Sequence, residues 1–258
     1  MPELPDLQVF SINLKSRFAG KKLVEIKVIN GKKLRDSAKE LAEAFNGKTL
    51  QDVYRSGKEL RFQFSEGNIL GIHLMLTGDL IPFEKADEVK FPIVELYFSN
   101  GNGLALTDRM RKANVKINPE EKEGVDALDK ELNYKYLKSI FNRKANIKNL
   151  LLDQDLIRGI GNAYADEILW KTKISPFSKA NSIPDEKIKE LAKNIKSVLN
   201  DAIKSITKSH PDLIHGEVRD FLKIHTKHQT ESPSGSPIKI EKKGMLKTYY
   251  TDEQVLYE

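Results

Sequence analysis

Leu150-Leu151-Leu152-Asp153-Gln154-Asp155-Leu156-Ile157-Arg158-Gly159-Ile160-Gly161-Asn162-Ala163-Tyr164-Ala165-Asp166-Glu167-Ile168-Leu169-Trp170 is the stretch on which the fold of this chain turns. An apolar run breaks at Asp153, a Gly-x-Gly turn follows, and helical apolar spacing resumes after Asn162. The pattern predicts a helix, a turn and a second helix, with Asn162 in the N-cap position. Backbone amides at such a turn, beside the positive end of a helix, suit one anionic group such as a backbone phosphate. A helix–turn–helix that only packs, with no ligand, gives the same pattern.

On either side the rhythm changes. From Asn133 to about Thr207 the spacing is helical throughout. It is clearest over 184–207, where Ile188, Leu191, Ile195, Val198, Leu199, Ala202 and Ile206 share one face behind Pro184, Asp185 and Glu186. Upstream, Leu7, Phe10, Leu14 and Phe18 predict a helix closed near Gly20. A series of short alternating strands then runs from Leu23 to Asn118, with one short helix at 37–45. Strands at this spacing predict a two-layer sheet domain. The resulting expectation is an α+β chain: a β-sandwich domain with flanking helices over 1–118, a linker over 119–132, a helical domain over 133–228 and a β-hairpin over 229–258. The linker assignment rests on the charged run 119–124, which carries Pro119 and Gly124.

The opening residues Met1-Pro2-Glu3-Leu4-Pro5-Asp6 carry the chemistry. With Met1 removed, Pro2 presents a secondary amine, and an α-amino group titrates near pKa ~8. Such an amine attacks an aldehyde-like carbon to form a cationic iminium. Glu3 beside it and Asp6 one helical turn further on supply carboxylates for proton handling. The plainer reading is a capped helix start, with proline in the first turn and acids at the positive end.

Composition limits the alternatives. A net charge of +6 favours an anionic partner, nucleic acid being the usual one. The absence of cysteine excludes disulfides, thiolate zinc sites and iron–sulfur clusters. No cluster of His and carboxylates predicts a metal site, and His210, His215, His225 and His228 are expected in loops or on the surface. No apolar run reaches the ~18 residues of a membrane span, and no signal peptide is evident. The expectation is a cytoplasmic monomer found with the chromosomal DNA.

The chain resembles the formamidopyrimidine-DNA glycosylase/endonuclease VIII family along its whole length. The resemblance is carried by Pro2-Glu3-Leu4-Pro5 and by the helix–two-turn–helix from Leu151 to Glu167. Ser56-Gly57-Lys58, His73-Leu74 with Thr77-Gly78, and Arg219-Asp220-Phe221 follow in the family's order. It implies a bifunctional DNA glycosylase/AP lyase that flips a damaged base out of the duplex. In that scheme Pro2 attacks C1′, Glu3 opens the sugar ring, and Asp6 is a supporting acid. Lys58 and His73 contact phosphates flanking the lesion, as do Asn162 and the turn amides at Gly161. The implied partner is double-stranded DNA with damaged bases or abasic sites, and no cofactor is implied. Two other readings stay open: a non-catalytic or lyase-only binder of damaged DNA on the same fold, and an RNA-binding protein using the helix–two-turn–helix alone.

The departures from the family concern recognition. Family members usually end in a four-cysteine zinc finger. Here those places hold Glu231, Ser234, Thr251 and Gln254, which predicts a zincless finger held by packing, with Tyr249 or Tyr250 in its core. The arginine expected at the hairpin tip is Leu246, with Lys247 beside it as the substitute phosphate contact, a point charge in place of a fork. The residues that fill the hole left by the flipped base are Leu76, Met110 and Lys112, with Arg109 or Arg111 substituting if the loop register shifts. Leu76 and Met110 serve as apolar wedges without a guanidinium to read the orphaned base. The segment from Phe221 to the finger is short, so the loop that covers oxidised purines in some relatives is reduced.

Overall fold

A computed structural model of the chain describes residues 1–84, 89–226, 228–244 and 246–258. Two units emerge, Met1–Glu121 with Ile206–Glu217, and Lys122–Ser205 with Val218–Glu258. Residues 206–217, which the sequence places in the helical region, therefore belong with the first unit.

The first unit begins with helix α1 (Leu4–Phe18), which has proline in its first turn and buries Leu7, Phe10, Leu14 and Phe18 along one face. Eight strands follow: β1 (Leu23–Val28), β2 (Leu50–Ser56), β3 (Glu59–Phe64), β4 (Ile69–His73), β5 (Asp79–Phe83), β6 (Pro92–Phe98), β7 (Gly103–Thr107) and β8 (Asn114–Ile117). They form two antiparallel sheets, β1-β6-β7-β5 and β2-β3-β4-β8. Inward residues of both sheets, among them Phe62, Leu70 and Ile72 from one and Ile26, Val94 and Leu104 from the other, share one core with the apolar face of α1. The short helix α2 (Ala38–Phe45) starts in a Ser37/Glu40 capping box and adds Leu41 and Phe45. This is the two-layer sandwich expected from strand alternation.

In the second unit, β9 (Val125–Asp126) pairs in parallel with β10 (Ile157–Arg158), so the helical reading of 133–207 is interrupted by one short strand. Helices α3 (Tyr134–Ile140) and α4 (Ile147–Leu152) are capped by Asn133 and Asn146, whose side chains accept the Tyr136 and Asn149 amides. Helix α5 (Asn162–Thr172) follows, then the long α6 (Asp185–Ser209), whose last turn lies beyond the unit boundary. The chain ends in the hairpin β11 (Lys239–Lys243) and β12 (Leu246–Tyr250). Among the described residues no helix is long and apolar enough to cross a membrane.

Gln154 shapes the double turn between α4 and α5. Its Nε2 donates to the carbonyls of Leu152 (2.8 Å) and Ile160 (2.9 Å), and its Oε1 accepts the Gly159 amide at 2.9 Å. One side chain thus closes both turns. Gly161, with extended backbone, is the N-cap of α5, and Asn162 is its first helical residue. The sequence expectation of Asn162 as N-cap is corrected by one position, because its side chain is used elsewhere.

Candidate active site and nucleic-acid interface

Pro2, Glu3 and Asp6 are buried at the head of α1. Glu3 and Asp6 cap one another: the Glu3 carboxylate takes the Asp6 amide, and Asp6 Oδ2 accepts the Glu3 amide at 2.8 Å. Asp6 is fully buried in this role, so it fixes the backbone that presents Pro2 and Glu3. Two residues on, Gln8 Oε1 accepts Arg55 Nε at 3.2 Å, while Arg55 Nη1 donates to the Gly57 carbonyl at 3.1 Å. This guanidinium ties α1 to the β2–β3 turn that carries Lys58. Gly57 takes φ +58° at the first central position of that two-residue turn, as a type II′ hairpin requires.

His73 ends β4, and its Nδ1 accepts the Met75 amide at 3.0 Å. A ring nitrogen that accepts is unprotonated, so the neutral ring carries its proton on Nε2 as a donor. The 74–78 loop leading to Leu76 is tight. A Cβ on Gly78 would stand 2.2 Å from the Leu74 carbonyl oxygen and 2.6 Å from Ala113 Cβ, so only glycine fits. Leu76 and Met110 are 55% and 44% exposed, the placement a wedge requires. Arg111 is exposed with φ +54°.

One buried carboxylate joins the loops that carry Leu76 and Met110. Asp108 Oδ1 accepts the Thr77 hydroxyl (2.6 Å) and the Met110 amide (2.9 Å); Oδ2 accepts the Lys112 (2.7 Å) and Ala113 (2.9 Å) amides. Burial opposes its ionisation, but the Thr77 hydroxyl and the three amides outweigh it and hold the carboxyl below the usual range. Sequence reasoning passed over Asp108, which stands in no motif of its own. Asp108→Asn keeps the shape but turns an amide toward N–H donors, and should cost about 2–3 kcal/mol. A carboxyl depressed in the folded state stabilises above its unfolded pKa, and that contribution is lost as pH falls through the folded value. Wild-type melting temperature should therefore fall on acidification below about pH 4, more steeply than that of the Asp108→Asn protein. Melts across pH check both.

In the second unit the candidate interface residues Asn162 and Lys247 meet directly. Asn162 Nδ2 donates to the Lys247 carbonyl at 2.9 Å, linking the start of α5 to the exposed first residues of β12. Its Oδ1 is buried without a hydrogen-bond partner among the described residues. Behind it, buried Asp166 pairs with Lys148 at 2.6 Å and accepts from the Tyr249 amide at 3.0 Å. The His225 ring, in the loop expected for it and half-buried, lies 2.8 Å from Asp166 and packs on Tyr249 at 4.4 Å, so it is a structural partner. Glu167 accepts the amides of Lys223, Ile224 and His225, and burial still pushes its carboxyl up.

The finger differs from the expectation that packing alone holds it. Tyr249 is buried, and Tyr250 sets its ring edge-on to Phe177 at 5.0 Å. The centre of the network, however, is Glu253. Its Oε1 accepts Lys173 Nζ (2.7 Å) and Ser234 Oγ (2.6 Å); its Oε2 accepts Trp170 Nε1, Ser232 Oγ and Thr251 Oγ1, each at 3.1 Å. Lys173 and Ser234 lead in holding its carboxyl far below the usual range. Of the four places that resemble zinc-ligand positions, Ser234 and Thr251 bond this carboxylate. Gln254 accepts the Thr251 amide and donates to the Ile174 carbonyl, and exposed Glu231 forms a backbone bridge with Pro237. No group of three or more metal-ligating side chains occurs among the described residues.

Comparison with known proteins agrees with this architecture. The family model described as the formamidopyrimidine-DNA glycosylase N-terminal domain matches residues 1–115, and that of its H2TH domain matches 124–223. Formamidopyrimidine-DNA glycosylase of Ligilactobacillus salivarius is 30% identical over 92% of each chain, and that of Pelotomaculum thermopropionicum 30% over 97% of each. Among solved structures, MutM in complex with DNA containing carbocyclic 8-oxo-G superposes with a TM-score of 0.86 at 25% identity, covering 98% of this chain and 99% of that one. Lactococcus lactis Fpg in complex with abasic-site DNA has the same fold, with a TM-score of 0.87 at 24% identity over 98% and 99% of the two chains. Two matched domains in the right order, and relatives that align nearly end to end, place the chain in the formamidopyrimidine-DNA glycosylase family, a family of DNA-repair enzymes.

Proposed function

We propose that this DNA glycosylase is bifunctional, with the Pro2 amine as nucleophile and an AP lyase step that cuts the strand of duplex DNA at damaged bases or abasic sites. The observation that carries the reading is the head of α1, where Pro2 and Glu3 are locked by the reciprocal cap with Asp6. Pro2 attacks C1′ and the base departs. A proton from Glu3 to O4′ opens the ring and leaves an iminium between Pro2 and C1′. The cation acidifies C2′, whose proton is lost as the C3′–O bond breaks; a second elimination breaks the C5′–O bond. Holding the sugar covalently converts strand scission into a unimolecular event.

Around that centre, Lys58 and the Nε2–H of His73 bind phosphates on one side of the lesion. In the second unit, the start of α5 at Gly161 and Asn162, together with Lys247, binds backbone phosphate. Leu76 and Met110 occupy the gap left by the flipped nucleotide. Neither reads the opposite base by paired hydrogen bonds, so discrimination at that base is weak. The enzyme works where chromosomal DNA is.

Borohydride reduction in the presence of abasic-site duplex tests the reading. A covalent protein–DNA adduct is expected, with strand scission in its absence. Tight abasic-site binding with neither adduct nor scission would instead identify a non-catalytic binder of damaged DNA.

A further inference from the structure

The chain start is met by a short strap, residues 213–217, that returns to the first unit after α6. It is pinned at several points. Asn13 Nδ2 of α1 donates to the Leu213 carbonyl at 2.9 Å, and Ile214 sits in the sandwich core. The Gly216 amide donates to Asp79 Oδ1 at 3.0 Å, and His215 Nδ1 lies 3.7 Å from Asp79 Oδ2. The strap ends on Glu217, whose carboxylate pairs with the ammonium of Met1.

We propose that Glu217 is the carboxylate that takes the proton from the Pro2 amine, a role that rests on the iminium mechanism above. One residue spans at most about 3.6 Å of chain. A carboxylate that binds the nitrogen of Met1 is therefore within reach of the proline nitrogen once Met1 is gone. About a third of the Glu217 side chain is exposed, so it has room to follow.

The chemistry requires such a group. The Pro2 lone pair forms the N–C1′ bond, and the C1′ substituent leaves with its bonding pair. The nitrogen then still carries its N–H proton and has no free pair. Transfer of that proton to the Glu217 carboxylate restores the pair, which forms C1′=N⁺ as the C1′–O4′ bond breaks and O4′ takes a proton from Glu3. A second carboxylate lets proton removal from nitrogen proceed while Glu3 delivers its proton to oxygen. Glu3 and Asp6 are moreover bound to each other's backbone. Glu217 comes from a different segment and faces the terminus from the other side of the sequence.

The test is the pH dependence of single-turnover borohydride trapping with abasic-site duplex. Glu217→Gln should slow trapping by about 10²-fold, the lower range for loss of a general base. It should also move the acid limb to lower pH by about one unit, because the anion that favours the ammonium is gone. Glu217→Asp should recover part of both. The other titratable groups at this place are Glu3, Asp6, Asp79 and His215; His215→Asn should leave the limb where it is. Affinity for duplex carrying a tetrahydrofuran abasic analogue should be unchanged in Glu217→Gln. A Glu217→Gln profile that overlays wild type overturns the proposal, as does a rate loss matched by lost analogue binding, which marks a structural role. No adduct with wild-type protein overturns the iminium reading itself, a result distinct from either.

Discussion

Protein that keeps Met1 gives no borohydride-trapped adduct with abasic-site duplex, whereas protein processed to Pro2 gives one. In the unprocessed chain the proline nitrogen is a tertiary amide. Its lone pair is delocalised into the carbonyl and it has no proton to lose, so it is not a nucleophile. In the chain that carries Met1, Pro2 is also buried, so the sugar is kept away by bulk as well as by electronics. Intact-mass spectrometry sorts the two forms, and a denaturing gel after reduction reads the adduct. Pro2→Gly in processed protein restores an amine but loses the pyrrolidine ring packed at the head of α1. A misplacement of about 1 Å costs about 10²-fold, and that loss is expected in the trapping rate. Equal adduct from the Met1-blocked protein would transfer the chemistry to a lysine, Lys58 first.

The second large effect is expected at Glu253. Five groups donate to its carboxylate, three of them hydroxyls of the finger (Ser232, Ser234 and Thr251) and two from α5 and its C-cap (Trp170 and Lys173). Glu253→Ala leaves a lysine and an indole N–H without their acceptor and separates the two loops of the finger. A local loss on the order of 3 kcal/mol follows. Hydrogen exchange of the amides over 232–254 should speed by about 10²-fold, with duplex affinity falling in step. Glu253→Gln should lie between, since it keeps one acceptor but presents an amide to the remaining donors. The sign with pH follows from the depressed carboxyl. Its contribution is complete above the ordinary glutamate pKa and is lost as pH falls through the folded value. A chelator should change neither exchange nor binding. Unaltered exchange in Glu253→Ala would sink the idea.

Much of the architecture was legible because it is written in local periodicity. The 7-10-14-18 spacing found α1, alternation found β3 and β6, and the Gly-x-Gly turn located the double turn before α5. Strands β2, β5 and β8 were harder to see. Gln51, Asp52 and Arg55 blur the alternation of the first, Pro82 argues against the second, and the third is only four residues long. The β9–β10 pair joins residues more than thirty positions apart, and no local signal marks it. The same limit applies to the sites. Pro2, Glu3, Lys58 and His73 were found because each stands in a recognisable short motif. Asp108, Glu217, His225 and Glu253 were not, because their importance lies in partners brought from distant segments. A carboxylate that accepts from positions 170, 173, 232, 234 and 251 looks, in the sequence, like one more surface acid.

The Glu253 network also decides how the finger ages. Thiolates that hold a metal climb an oxidation ladder to sulfenic and sulfinic acids, and each step releases a ligand. Here the finger's loops are joined by hydroxyls, an indole, an ammonium and a carboxylate, in a chain with no cysteine at all. Peroxide that would strip a thiolate finger finds no sulfur ligand to attack. A finger joined in this way has no metal–sulfur bond to lose under oxidative stress.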